Sequence, residues 1–183
     1  MNFNTTSKLK ENIFLDYIEL LNFVNLNNEE KEMVRLWRNH RNVRNWMFTD
    51  HEISFSEHMR FIESLNSENS SHYCWLARRD KNYIGVVTLN KVDFKNKNSY
   101  FGLYTNPESD NLGECIYLFK AIIAVAFSIF GLHTLRGDTI KGNSILKIHE
   151  KFGFAVEGIL KEFVYKNGEW KDVVITSLKN EKD

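Results

Sequence analysis

At 183 residues, 43% hydrophobic and 26% charged, the chain has the makeup of one ordinary globular domain, with 14 Phe, 7 Tyr and 4 Trp to build its core. A chain of this length buries roughly 70% of its unfolded surface and needs no disulfide or metal staple. Lysine plus arginine equals aspartate plus glutamate at 24 each, a balance that excludes a general binder of the nucleic-acid backbone, whose affinity comes from basic charge.

In chain order, residues 1–12 are polar and read as a flexible tail, leaving 13–183 as a single domain. "FLDYIELLNFV" has the short apolar spacing of a half-buried first strand. Asp16 and Glu19 interrupt it, so it is neither a signal peptide nor a membrane span. "NNEEKEMVRLWRNH" reads as a helix capped by Asn27 or Asn28, with acids in its first turn. Arg35, Arg38, Arg41 and Arg44 fall three apart, so a helix over them would gather a local basic patch.

"SFSEHMRFIESL" is a second helix. Ser54 and Glu57 have capping-box spacing, and Phe55, Met59, Ile62 and Leu65 recur at the helical period. The period then becomes two. "HYCWLARR", "YIGVVTLNKVDF" and "SYFGLYT" predict three antiparallel strands joined by the turns "RDKN" and "KNKN".

A polar loop with the chain's one proline leads into a helix from about Asn111 to Phe130, stopped by Gly131. "HTLRGDTI" is a strand, and "GNSILKIHEKFGF" is a short helix from Asn143 to Gly153. "FAVEG", "LKEFVYK" and "WKDVVITSL" are closing strands, the last two joined by an "NG" turn. The order gives an α/β fold of the α+β, mixed-sheet kind. The two cysteines, Cys74 and Cys115, lack metal-ligand spacing. They read as free thiols of a cytoplasmic protein, although a distant pair could also bridge.

The loop "YTNPESDNLGEC" admits two readings: an ordinary strand-to-helix connection, or a cradle that binds phosphate on main-chain N–H groups at a helix start. The ending "IHEKFGFAVEG", with the hairpin after it, resembles the GNAT superfamily of acetyl-CoA-dependent N-acetyltransferases. Upstream, "RNHRNVRNWM", "ISFSEHMRFIESL" and "FGLYTNP", in that order, resemble its sugar-nucleotide N-acetyltransferases of pseudaminic acid biosynthesis. The resemblance covers about residues 15–180.

That resemblance implies the GNAT acyl-CoA N-acyltransferase fold, a mostly antiparallel sheet with one splayed parallel strand pair and flanking helices. It implies acetyl-CoA as cofactor. The implied acceptor is a nucleotide-linked amino sugar, UDP-4-amino-4,6-dideoxy-N-acetyl-β-L-altrosamine, acetylated at its 4-amino group in a ternary complex. Neither nucleic acid nor membrane is an implied partner, no metal is implied, and an edge strand could pair two copies. Flagellin glycosylation, capsule or lipopolysaccharide would be the product's destination.

Residue by residue, the resemblance assigns the cofactor to Leu103, Tyr104 and Thr105, whose backbone would bond the pantetheine arm. It adds Asn111, Leu112, Gly113, Glu114 and Cys115 around the pyrophosphate, and Asn143. Asp110 and Glu114 suit this role only if their carboxylates point outward. Asp138 aligns with a general base, or is a strand-end acid. His149 fills the slot of the family's acid tyrosine, or is a packed helix residue.

Arg38 and His58 match phosphate contacts, and Met47, Phe48 and Phe61 a wall for the uracil ring. Asn90, Lys91 and Tyr100 fall near the sugar and its phosphates. Trp46, Phe48 and Phe61 could equally be core. Two other readings stand beside this one: a protein N-terminal acetyltransferase, and a non-catalytic acyl-CoA-binding domain.

Overall fold

The structure is a computed structural model and describes residues 9–109 and 112–181. The chain is docked from its first described residue. Leu9 is buried, and the Lys10 ammonium donates to the carbonyls of Asn66 and Ser67. The first predicted strand is a hairpin, β1 (Ile13–Leu15) and β2 (Ile18–Asn22), turning at Asp16 and Tyr17.

Helix α1 (Asn28–Asn39) begins with a full capping box: the Asn27 side chain accepts from the Glu30 N–H and the Glu30 carboxylate from the Asn27 N–H. It stops at His40, and a short turn of helix, α2 (Arg41–Arg44), leaves in a new direction. The expected arginine row is therefore broken. Arg35 pairs with Glu32, Arg38 turns inward and Arg41 faces solvent.

Helix α3 (Phe55–Leu65) is capped by Ser54. It buries Ile62 and Leu65 as expected, together with His58, while Phe55 is exposed. Strands β3 (Tyr73–Arg79), β4 (Asn82–Asp93) and β5 (Asn98–Thr105) form the expected meander. Helix α4 (Leu112–Ala124) runs on into a π-helical turn (Val125–Ile129), and Gly131 ends it at φ +63°.

Strand β6 (Thr134–Ile140), helix α5 (Leu146–Lys151) and strands β7 (Ala155–Lys166) and β8 (Glu169–Lys179) complete the chain. Two closing strands were expected where β7 is one continuous strand. Shifts of register after Val156 and after Leu160 let it pass Gly158 without breaking.

All eight strands lie in one sheet, in the order β1-β2-β3-β4-β5-β6-β8-β7. Among the described residues, only β5 and β6 pair in parallel. Alternation in the central strands feeds two cores. Trp75, Val87 and Leu89 pack on one face against Leu118, Phe119 and Ile122 of α4. Leu76 and Val86 pack on the other against Val34 and Trp37 of α1 and Ile62 of α3.

The helix and sheet approach closely at Gly85. A Cβ there would collide with the Tyr104 carbonyl oxygen and lie 2.6 Å from Leu118 Cδ1. Gly85→Ala is expected to lower stability by about 1–3 kcal/mol, read as a lower urea midpoint at unchanged m-value. An unchanged midpoint would contradict the close approach.

Candidate active site

Strands β5 and β6 pair at Asn98–Thr134, Ser99–Leu135 and Tyr100–Arg136, and then part. Beyond that point β5 bonds only to β4, through Thr105, and β6 only to β8. The backbone of β5 past Tyr100 therefore has hydrogen-bonding groups with no strand to take them on the β6 side.

A cleft of about 360 Å³ opens in this gap, lined among others by Leu103, Tyr104, Thr105, Cys115 and Asn143. Five expected cofactor residues thus converge there. Asn143 lines the cleft, and its Oδ1 accepts from the Ile145 N–H at 3.0 Å in the turn ahead of α5; the cap position of that helix is Ile145, not Asn143. Gly113 and Glu114 lie in the first turn of α4 but do not line the cleft, and Leu112 opens that helix. Asn111 and Asp110 lie outside the described residues. Glu114 is not turned outward as the cradle reading required. Its Oε2 is shielded from solvent and has no hydrogen-bond partner among the described residues.

A second cavity, of about 300 Å³, lies on the α1 and α3 side of the sheet. Arg38, His58, Phe61, Asn90, Thr88, Thr49 and Cys74 help line it. Tyr104 lines both cavities and forms the wall between them. Burial raises the Tyr104 phenol above its ordinary range and the Cys74 thiol to about 12, so both are neutral.

Arg38 and Glu57 are the charged side chains that line this second cavity, and the Glu57 carboxylate lies 3.0 Å from His51 Nε2. Arg38 Nη2 donates to Thr49 Oγ1 at 2.8 Å, whereas Nη1 is buried without a partner among the described residues. Burial lowers its pKa from the ordinary arginine value. Burial also holds His58 below the usual histidine range, and its Nε2 is likewise shielded and unpartnered. Phe61 is 42% exposed beside them, a ring open to stacking rather than a core residue. The remaining expected wall is corrected. Met47 lines the first cleft instead, and Phe48, at 41% exposed, lines neither.

Asn90, Tyr100 and Arg136 stand side by side across β4, β5 and β6. The Tyr100 ring lies 5.3 Å from the Lys91 ammonium and 4.7 Å from the Arg136 guanidinium. Asp138 is the next residue of β6 on this face, just past the split. Its carboxylate accepts from Arg136 at 2.9 and 3.3 Å. Period-two alternation from Asn90 and Asp138 could have found Thr88 and Arg136, which the sequence reading missed.

His149 is not at the site. It is 3% exposed, wedged among Phe101, Phe119 and Phe154, with Nδ1 2.9 Å from Thr176 Oγ1. Gly137 leaves the room for it, since a Cβ there would lie 3.0 Å from His149 Cε1. Burial pushes the imidazole down to about 4, so it holds no proton to give at neutral pH.

The unfolded chain takes up that proton near the ordinary value of about 6.5, the folded chain only near 4. Stability therefore falls as pH drops from about 6.5 to 4, by about 3 kcal/mol for this group, and its contribution is flat below. Urea unfolding of His149→Gln across that range is expected to lose this part of the slope. An unchanged slope would count against a neutral buried imidazole.

Parted parallel strands over a cleft, beside a helix start and a second cavity across Tyr104, define a class: an acyl-CoA-dependent N-acyltransferase. The chain belongs to the GNAT acetyltransferases, whose domain model matches residues 24–175. It is 34% identical over 149 residues to acetyltransferase PseH of Campylobacter jejuni, covering 81% of this chain and 91% of that one. The structure of that enzyme in complex with acetyl coenzyme A superposes with a TM-score of 0.69 at 28% identity, covering 90% and 99% of the two chains. The spermidine N-acetyltransferase of Vibrio cholerae, solved with CoA and spermine, shares the fold with a TM-score of 0.81 at 23% identity, over 92% and 98%. The cofactor is acetyl-CoA, and the residues of the cleft fit it: open backbone on β5 for an amide-bearing arm, and the start of α4 at one end.

Proposed function

We propose that the chain acetylates the 4-amino group of UDP-4-amino-4,6-dideoxy-N-acetyl-β-L-altrosamine, in the cytoplasmic synthesis of pseudaminic acid for flagellin glycosylation. The observation that carries this reading is the buried, half-partnered guanidinium of Arg38 in the acceptor cavity, beside His58 and the open ring of Phe61. A desolvated cation is costly unless an anion completes it, and a planar fork with an adjacent ring suits a nucleoside diphosphate. The ordered motifs "WRNH", "EHMRFI" and "FGLYTNP" support the same acceptor.

Acetyl-CoA supplies the activated acetyl group. Leu103, Tyr104, Thr105 and Asn143 hold it in the parted strands, with Gly113 at the start of α4 near its phosphates. On the acceptor side Arg38 carries the charge and the neutral His58 a hydrogen bond, while Phe61 stacks on the base. Thr88 and Asn90, joined by a 2.9 Å hydrogen bond, face the sugar. Asp138 takes the proton that the amine loses, directly or through a water. Tyr104 brings the two compartments within reach of each other. Cys115 is no nucleophile, since burial raises its thiol to about 11, and transfer is direct.

The spermidine enzymes share this fold; in this chain a polyamine would meet the Arg38 cation in the acceptor cavity, with the Glu57 carboxylate at its rim already beside His51. Coenzyme A release by thiol titration tests the reading. Release that requires the sugar nucleotide, and is not replaced by spermidine or a peptide amine, is expected. Release with either substitute, and none with the sugar nucleotide, would overturn it. Binding of coenzyme A without turnover on any amine would favour the non-catalytic reading.

A further inference from the structure

Among the described residues, Lys166 is the only lysine or arginine buried as a whole residue, at 3% exposed, whereas Arg38 is buried only in part. It is the last residue of β7, next to the Asn167–Gly168 turn, a place where a lysine ordinarily reaches water. Here the ammonium runs inward, and Nζ donates to the carbonyl oxygen of Thr49 at 3.0 Å. The hydroxyl of the same Thr49 accepts from Arg38 Nη2 at 2.8 Å. Two cations from opposite ends of the chain thus grip one threonine, and that threonine lines the acceptor cavity.

Burial lowers the pKa of Lys166. The exposed Asp50 opposes that shift, while Arg38 and Arg44 add to it. Three positive groups therefore face one solvated carboxylate. A methionine would fill the space of a lysine without this repulsion, so stability alone does not account for the choice.

We infer that Lys166 is a positioning residue of the acceptor site: by fixing Thr49 it aims the free edge of Arg38 into the cavity, and its charge favours a diphosphate there. This rests on the sugar-nucleotide reading for the identity of the ligand, though not for its charge. The contact joins the end of β7 to the loop ahead of α3 across 117 residues of sequence.

Calorimetric titration with UDP, inorganic diphosphate and coenzyme A tests it on the wild type and on Lys166→Met and Lys166→Arg. Lys166→Met is expected to bind UDP about tenfold more weakly, with coenzyme A affinity and Tm unchanged. Lys166→Arg, which keeps the charge, is expected to recover affinity to within about threefold. UDP affinity equal to wild type in Lys166→Met overturns the inference and leaves the sugar-nucleotide reading standing. Binding of diphosphate but not UDP by the wild type, lost in Lys166→Met, keeps the inference and sinks the nucleotide.

A wild type that binds neither anion overturns both. Equal loss of UDP and coenzyme A with a lower Tm makes Lys166 a folding residue only, and overturns the positioning role. Should Lys166→Met not fold, Thr49→Val removes the hydroxyl that Arg38 uses and carries the same expectation. Undiminished UDP binding there overturns the inference.

Discussion

Replacing Arg38 by methionine raises the KM for the sugar nucleotide by about a hundredfold, the effect of losing one or two charge-assisted hydrogen bonds, and leaves the KM for acetyl-CoA where it was. The split follows from the architecture. Arg38 lines the acceptor cavity and not the cleft in the parted strands. Methionine fills much of the arginine stem's volume, so the cavity keeps its shape and loses its charge. Steady-state kinetics with each substrate varied in turn reads both constants. A change of less than about threefold in acceptor KM would mean that the buried guanidinium serves the fold alone. Under the protein N-terminal reading the same variant is nearly silent, because a peptide amine has no phosphate to lose.

Asp138→Asn lowers kcat by about a hundredfold, the usual worth of a positioned general base, with both KM values close to wild type. Asparagine preserves the shape of the carboxylate and can still meet Arg136, but it takes no proton. The bidentate contact from Arg136 orients Asp138 on the face that Tyr100 and Asn90 share. Retention of kcat within about threefold would make the pair a strand-face ion bridge of small worth and leave proton removal to solvent.

Much of this was legible from residue order. The meander of β3 to β5 shows in period-two alternation cut by polar turns, and the helix starts in Asn27 and Ser54. The family resemblance, not spacing, assigns Arg38, His58, Phe61 and Asn90 to one site, and all four line one cavity. The rest failed for identifiable reasons. Asp16 and Tyr17 give no glycine, proline or asparagine signal, so the β1–β2 hairpin reads as one strand. Register shifts let β7 absorb residues that look like a break.

Other failures lie in tertiary contacts. His149 aligns with an acid tyrosine in the chain yet points into a nest of phenylalanine rings, a choice made by packing that Gly137 allows. Met47 and Phe48 follow the irregular end of α2, where no period tells which cavity a side chain faces. Lys166 meets Thr49 across 117 residues of chain, a separation at which sequence carries no local signal.

The wall that Tyr104 makes has a bearing on how such enzymes change. On the proposed reading, donor and acceptor are held by different parts of the molecule, the donor by β5, α4 and α5, and the acceptor largely by α1, α3 and the loop between them. A lineage can therefore exchange one amine for another by rewriting the N-terminal helices while the acyl-handling half drifts little. Selectivity becomes a detachable trait.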